Sequence, residues 1–232
     1  MSGIPGIDLS GNNVVSSFHD VAGAGKKWLY TKATEGDSVI DDTCADYCKR
    51  AASVGLYVTA YHFVGMQSAA TDQAHYFIAQ AKTAFEQVED KNLIIRPVLD
   101  MEKDSQGVFF GWNPNDASTR GPAAKRLVAY LDAFLPIVQG ALCNGAPMIV
   151  YSYFDLLKNF PELQALSNPF IVAAYYGTDE SPPPDPTDGI TCDVVGWQYT
   201  STGSVKGVAG NVDLDLFYKP LDDYRIYPSE SV

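Results

Sequence analysis

Short apolar segments rich in β-forming residues alternate with helical segments along most of the chain. Eight of them occur, and they begin near residues Gly6, Trp28, Leu56, Leu93, Met148, Phe170, Val194 and Val212. Strands that alternate with helices form right-handed crossovers and a parallel sheet. Only turns separate the last two segments. The pattern therefore predicts an α/β fold, an irregular TIM-like β/α barrel with eight strands and about five helices, whose last strands have no intervening helices.

The alternative architecture is an open, doubly wound sheet. No G-x-G-x-x-G or P-loop motif follows any of the strands, which weakens a nucleotide-binding version of that fold. The length of 232 residues suits one large domain. We expect a single domain over residues 1–232, with a core of about 4–218 and a short C-terminal tail. Two irregular loops, 105–121 and 178–189, are too short to divide it.

Charge and cysteine content exclude several classes of function. The formal net charge of −12 argues against binding to nucleic acid or to an anionic membrane. No apolar segment approaches the roughly 18 residues that a membrane helix needs. The N-terminus has no signal-peptide pattern, so we expect a leaderless or previously trimmed product. Metal-ligand spacing is lacking, and we expect no metal, no cofactor and four reduced cysteines: Cys44, Cys48, Cys143 and Cys192.

Acidic residues fall at the carboxyl ends of the first, fourth and eighth strands, where barrel enzymes carry their chemistry. Asp100 and Glu102 are two residues apart after an apolar run, so they share one strand face. A closed barrel also brings the first strand beside the eighth. The acids at these positions are Asp8, Asp100, Glu102, Asp213 and Asp215.

Aromatic residues and an amide occupy most of the other strand ends. Tyr61, Tyr151, Tyr175, Trp197 and Gln198 are the candidate sugar contacts. Paired carboxyls with aromatic surfaces are typical of glycoside hydrolysis, in which one carboxylic acid protonates the leaving oxygen. Repulsion between neighbouring carboxyls raises the pKa of one of them.

Each of these residues also has an ordinary structural interpretation. A single aspartate at a strand end often forms a turn, and one of Asp213 and Asp215 can be structural. The aromatic residues, taken one by one, are typical of a core. We interpret Glu35 as the ion-pair partner of Lys32, and His62 as a hydrogen-bonded strand residue.

Seven motifs, in order from residue 6 to residue 217, resemble the family 25 glycoside hydrolases, which are lysozymes with N-acetylmuramidase activity. They read GIDLS, KATEG, AYHF, VLDME, VYSY, AAYYG and GWQYTSTGSVKGVAGNVDLDLF. The last motif is the most specific of the seven. The resemblance implies an irregular β/α barrel whose last strands lack helices, and cleavage of the β-1,4 bond from N-acetylmuramic acid to N-acetylglucosamine.

The resemblance also implies roles for the acidic residues. Glu102 would be the general acid, and Asp100 would support a substrate-assisted route in which the 2-acetamido oxygen is the nucleophile. Asp8 and Asp213 would tune the electrostatics and hold the sugar. Tyr61, Tyr151 and Trp197 would form an aromatic wall. We expect repulsion from Asp100 to help keep Glu102 protonated.

Two departures from the family pattern concern loops. The first aspartate is followed by SGNNVVSSF, and the loop after Glu102 contains FFGW, which could contact substrate or a partner. A hydrolase of chitin-like glycans and a non-catalytic glycan-binding barrel are the alternative functions. The retaining or inverting outcome stays open, because rotamers decide the carboxyl separation.

The expected partners are peptidoglycan glycan strands, with no nucleic acid and no membrane. An immunity protein or a delivery machinery is considered as a further partner, and we expect a monomer. The expected site of action is the bacterial cell wall, in the periplasm or outside the cell, by an unknown route. A phage endolysin or a secreted effector would fit a catalytic domain without an anchor.

Overall fold

A computed structural model describes residues 3–175, 187 and 189–227 of the chain. The strands are β1 (Ile4–Leu9), β2 (Val14–Val15), β3 (Trp28–Glu35), β4 (Val39–Ile40), β5 (Tyr57–Phe63), β6 (Val98–Met101), β7 (Ile149–Tyr153), β8 (Pro169–Ala173), β9 (Asp193–Gly203), β10 (Val208–Ala209) and β11 (Val212–Phe217). The helices are α1 (Phe18–Gly23), α2 (Cys44–Ala52), α3 (Ala70–Glu86), α4 (Arg120–Leu142), α5 (Phe154–Asn159) and α6 (Pro161–Gln164). Three 3-10 turns cover Lys91–Leu93, Ala117–Thr119 and Leu221–Tyr224.

Eight of the strands close into a barrel in the order β1, β3, β5, β6, β7, β8, β9 and β11. The barrel closes because β1 pairs with β3 on one side and with β11 on the other. The pairings from β1 to β9 are parallel, whereas β11 is antiparallel to both of its neighbours. The connection from β9 to β11 contains no helix. The predicted irregular α/β barrel is confirmed.

Alternation along each strand divides the apolar residues into two cores. One face of the strands packs against the surrounding helices, as Leu99 and Met101 do in β6. The other face fills the barrel interior, as Val98 does. Period-two patterning therefore decides which side chains point into the barrel. In the described part of the chain, no helix is long and apolar enough to cross a membrane.

The lower end of the barrel is filled by aromatic side chains and will be called the floor. Trp28 lies across Gly6, where a Cβ atom would come within 2.3 Å of the indole. Glycine is therefore required two residues before Asp8 on the same strand face. Phe217 packs edge-on against Trp28 and Tyr224, at 5.3 and 5.0 Å between ring centroids. The segment around Tyr224 lies beyond the core boundary that we expected near residue 218.

The chain after α3 differs from one expectation, and the structure also shows where the FFGW segment lies. The fourth barrel strand was expected near Leu93, but it begins at Val98, because Asp90 caps a 3-10 turn at 91–93. The FFGW segment was considered for substrate contact, but its aromatic rings are buried, with Phe109 fully covered and packed on Phe160 at 4.9 Å. The 105–121 loop is thereby anchored to the helices outside the barrel.

Candidate active site

The carboxyl ends of the barrel strands, called the rim below, bring together four of the predicted acids. Asp100 lies in β6, where it pairs with Tyr151 of β7 and Phe63 of β5, and Glu102 directly follows the last residue of that strand. Asp8 of β1 lies directly opposite Asp213 of β11. Closure of the sheet therefore collects acids that are more than 200 residues apart along the chain at one end of the barrel.

Asp100 lies deeper than Glu102, and their protonation is linked. Burial raises the pKa of Asp100 well above its usual value, and the charge of Glu102 raises it further. Burial also raises the pKa of Glu102, whereas the hydrogen bond from Tyr153 lowers it. Burial of both carboxyls therefore favours a proton retained by the pair in the free protein.

That arrangement corrects one expectation. We expected repulsion from Asp100 to keep Glu102 protonated, but the largest cause of the raised pKa of Glu102 is burial. The charge that raises it further is that of Asp213. Asp100 instead lowers the pKa of Glu102.

Tyr153 was not among the predicted site residues, although it makes a direct contact with Glu102. Its hydroxyl donates to Glu102 Oε2 at 2.7 Å. Tyr153 lies two residues after Tyr151 on the same strand, so the signal that would have found it is simple alternation.

Asp8 and Asp215 form the deeper part of the acidic cluster. Burial first, and then the charges of Asp215 and Asp213, raise the pKa of Asp8 well above its usual value. Burial raises the pKa of Asp215 to about 8 and that of Asp213 to about 6. Among the described residues, Asp8 Oδ1, Asp100 Oδ1 and Asp215 Oδ2 are buried without a hydrogen-bond partner. Such a cluster favours retained protons near neutral pH.

Gln198 connects the deeper acids to the tyrosines. Its Oε1 accepts from the hydroxyls of Tyr151, at 2.8 Å, and Tyr175. Its Nε2 donates to Tyr30 Oη at 3.1 Å and to Asp8 Oδ2 at 3.4 Å. Tyr30, which sequence reasoning missed, donates in turn to Asp215 Oδ1 at 2.9 Å.

The structure does not bring Trp197 into this cluster. A register shift lies between the pairs Phe170–Val194 and Ile171–Gly196. The extra residue places Gln198 inside the barrel and turns Trp197 to the outer face. The indole is 2% exposed and donates to the carbonyl of Ala174 at 2.9 Å. The indole therefore packs on the outer face of the barrel and offers no ring surface to a ligand.

The remaining predicted aromatics lie at the barrel interior and the rim. Tyr61 is buried and packs edge-on against Tyr30 at 5.7 Å. Tyr175 is 46% exposed and presents a large aromatic ring to solvent at the rim. Tyr176 and most of the 178–189 loop lie outside the described residues.

Neighbouring polar residues have structural partners. Lys32 Nζ lies 2.5 Å from Glu35 Oε2, as expected. His62 points to the outer face, where Thr34 and Gln73 bond its two ring nitrogens at 2.8 and 2.9 Å. Burial lowers the pKa of His62 to about 4, so the ring is neutral. All four cysteines are free thiols.

Comparison with known proteins identifies related sequences and folds. The family described as glycosyl hydrolases family 25 matches residues 7–208. The autolytic lysozyme of Clostridium acetobutylicum is 26% identical over 91% of this chain, and lysozyme M1 of Streptomyces globisporus is 29% identical over 93%. The chain spans 55% of the first relative and 68% of the second.

A solved structure matches almost the whole chain. The bacterial lysozyme from Streptomyces coelicolor superposes with a TM-score of 0.76, at 24% identity, and covers 99% of this chain and 100% of its own. At this identity the likeness establishes the fold alone.

Proposed function

Because the chain belongs to glycosyl hydrolases family 25, we propose that it is a lysozyme that cleaves the β-1,4 bond between N-acetylmuramic acid and N-acetylglucosamine in bacterial peptidoglycan. The observation that carries the proposal is the pair formed by Asp100 and Glu102 at the carboxyl end of β6. One of these carboxyls is buried and the other reaches the rim. Two adjacent carboxyls with one shared proton suit an acid step followed by a base step.

In the proposed reaction the bound sugar decides which carboxyl holds the proton. The N–H of the 2-acetamido group donates to Asp100 and favours its carboxylate form, because a charged oxygen accepts more strongly than a neutral one. The proton that the pair retains in the free protein is then held by Glu102. Substrate binding thus converts Glu102 into the acid that protonates the glycosidic oxygen.

Bond cleavage follows from that proton position. As the C1–O bond breaks, Glu102 gives its proton to the leaving oxygen and the acetamido oxygen bonds to C1. Asp100 stabilises the positive charge that develops on the acetamido group. Glu102, now a carboxylate, takes a proton from the water that opens the cyclic intermediate.

The surrounding residues hold the sugar in this proposal. Tyr175 offers an exposed ring at the rim, and Gln198 and Tyr151 lie beneath it. Asp8 and Asp213 tune the electrostatics of the site in which the oxocarbenium-like charge develops. Tyr61 forms part of the barrel wall beside Tyr30. The proposal needs no metal and no cofactor.

The direct test is digestion of purified peptidoglycan followed by mass spectrometry. The expected products are muropeptides that end in a reducing N-acetylmuramic acid. Products that end in reducing N-acetylglucosamine would contradict the assignment. Cleavage of chitin oligomers without muropeptide release would support the chitin-like alternative, and glycan binding without turnover would support a non-catalytic barrel. Because peptidoglycan is the proposed substrate, the proposed site of action is the cell wall, outside the membrane. We propose that the protein acts there as a monomer.

Replacing Tyr153 with Phe should raise the pKa of Glu102. The variant removes the O–H that donates to the ionised form of Glu102 at 2.7 Å. We expect the alkaline limb of the pH profile of kcat to move up by about one pH unit, since a hydrogen bond to a charged group contributes roughly 1.5–3 kcal/mol. The measurement is turnover of soluble glycan fragments between pH 4 and pH 10.

The matched control for this variant is Tyr57→Phe. Tyr57 also donates to a carboxylate, Asp222, but near the floor of the barrel. Its removal should leave the pH limb in place. An alkaline limb that stays fixed in the Tyr153→Phe variant would show that Glu102 does not control it.

A further inference from the structure

The side chain of Gln198 is 1% exposed and uses its full hydrogen-bonding capacity. A glutamine amide has two donor hydrogens and two acceptor positions on its oxygen. Both hydrogens are engaged, by Tyr30 Oη and Asp8 Oδ2, and the oxygen accepts from Tyr151 and Tyr175. The orientation of this amide therefore determines which of its four neighbours meets a donor and which meets an acceptor.

Tyr30 links that amide to Asp215. A tyrosine hydroxyl carries one hydrogen, and here it is donated to Asp215 Oδ1 at 2.9 Å. The hydroxyl oxygen can then only accept on its other side, where it receives the N–H of Gln198 at 3.1 Å. An acceptor at Asp215 thus dictates that Gln198 presents its NH₂ group to Tyr30.

The inverted amide would be unfavourable. Its carbonyl oxygen would face Asp8 Oδ2, which would lose the N–H that it accepts in the observed orientation, in a buried, low-dielectric site. It would also face Tyr30, whose single hydrogen is already donated to Asp215. The observed orientation is the one in which each contact of Gln198 pairs a donor with an acceptor.

We propose that Asp215 is a positioning residue, which acts through the Tyr30 hydroxyl to fix the orientation of the Gln198 amide. This inference rests on the proposed function and deepens it. The fixed amide gives Asp8 a hydrogen-bond donor. It also takes up the hydroxyl protons of Tyr151 and Tyr175, so that both rings are held in place beneath the sugar.

To orient Gln198 through Tyr30, residue 215 must supply an acceptor oxygen, and it does not need a negative charge. Burial raises the pKa of Asp215 to about 8, and the hydrogen bond from Tyr30 and the charge of Lys26 oppose that rise. At pH 6 the carboxyl is therefore protonated, and one oxygen remains free to accept. Asparagine reproduces that state with nearly the same shape, whereas leucine offers no acceptor.

The test compares Asp215→Asn, Asp215→Leu and Tyr30→Phe as complete chains at pH 6. We expect Asp215→Asn to keep kcat within about twofold, because its oxygen still accepts from Tyr30. The other two variants should lower kcat by about ten- to a hundredfold, with KM changed by less than about threefold, because misplaced groups act on the reacting geometry. The Asp215→Leu/Tyr30→Phe double variant should lose no more than the more affected single variant, since both break one chain of contacts.

A second readout needs no substrate. In ¹⁵N-labelled protein, the side-chain NH₂ signals of Gln198 should move in the Asp215→Leu and Tyr30→Phe variants and stay in place in Asp215→Asn. The control is Tyr130→Phe, which removes a buried hydroxyl bonded to Gln73 at 3.0 Å outside the barrel. That control should change neither kcat nor the Gln198 signals.

Two outcomes would overturn the inference. One is equal turnover per folded molecule in Asp215→Asn and Asp215→Leu; the other is an unmoved Gln198 signal in Tyr30→Phe. If Asp215→Leu does not fold, Tyr30→Phe still decides, because it keeps the ring and removes only the hydroxyl. If the wild type releases no muropeptides, the proposed function fails, while the Gln198 signals still test the positioning role.

Discussion

Replacing Glu102 with Gln is expected to lower peptidoglycan turnover by roughly a thousandfold, since a positioned general acid contributes about 10²–10⁴ in rate. The amide has nearly the same shape as the protonated carboxyl but cannot release a proton to the glycosidic oxygen. Tyr153 can still donate to the amide oxygen, so the local contact is kept. The measurement is the clearing of a peptidoglycan suspension by equal amounts of folded protein.

The control variant for this experiment is Glu86→Gln. Glu86 is the last residue of α3 and is exposed, so the same chemical change occurs far from the rim. It should leave the clearing rate unchanged. Clearing at the wild-type rate by the Glu102→Gln variant would contradict both the assignment of Glu102 as the acid and the mechanism drawn from it.

Replacing Asp100 with Asn is expected to have two opposite effects. Turnover should fall by about 10²–10³, because the variant loses the negative charge that stabilises the developing positive charge of the acetamido group. Stability at neutral pH should increase, by on the order of 1–3 kcal/mol, because Asp100 is buried with one oxygen unpaired among the described residues.

The pH dependence of that stability effect follows from the direction of the shift. The pKa of Asp100 is raised in the folded protein, mainly by burial, above its value of 3.8 in an unfolded chain. The folded state therefore binds the proton more tightly, and wild-type stability is lost as pH rises above that unfolded value. The Asn variant carries no such charge, so its advantage should grow from pH 4 to pH 8.

Thermal unfolding of both proteins across that pH range provides the measurement. Asp46→Asn is the control, since Asp46 lies in an exposed pair with Arg50 on α2. It should show no gain that grows with pH. An Asp100→Asn variant that is less stable than the wild type at pH 8 would contradict the reading of Asp100 as a destabilising, functional carboxyl. Functional sites commonly reduce stability in this way.

Alternation along strands explains how much of the site could be predicted. Asp100 and Glu102 were expected on one strand face from their spacing alone. Asp100 lies in β6 beside Tyr151, and Glu102 directly follows that strand. The meeting of Asp8 with Asp213 followed from closure of the sheet, because the first and last strands of a barrel are neighbours. Both inferences use only a repeat of two and a strand count.

Features that depend on register could not be predicted in the same way. One extra residue in β9 exchanges the faces of Trp197 and Gln198, and a sequence pattern does not reveal where a bulge lies. The causes of the raised pKa of Glu102 were likewise hidden, because they depend on its burial and on the hydroxyl of Tyr153. Tyr30 was overlooked and Asp215 was given no role beside Asp213, since the importance of both comes from a network through Gln198.

The aromatic floor has a practical consequence for handling the protein on surfaces. β1 starts at this end of the barrel, beside Trp28, and Tyr224 packs against the same end from the last described segment. Attachment to a bead or sensor through either of these regions would therefore leave the opposite end facing the solution. An immobilised form oriented in this way should keep access to polymeric wall material, because the rim faces the solution and the floor is filled by packed aromatic side chains.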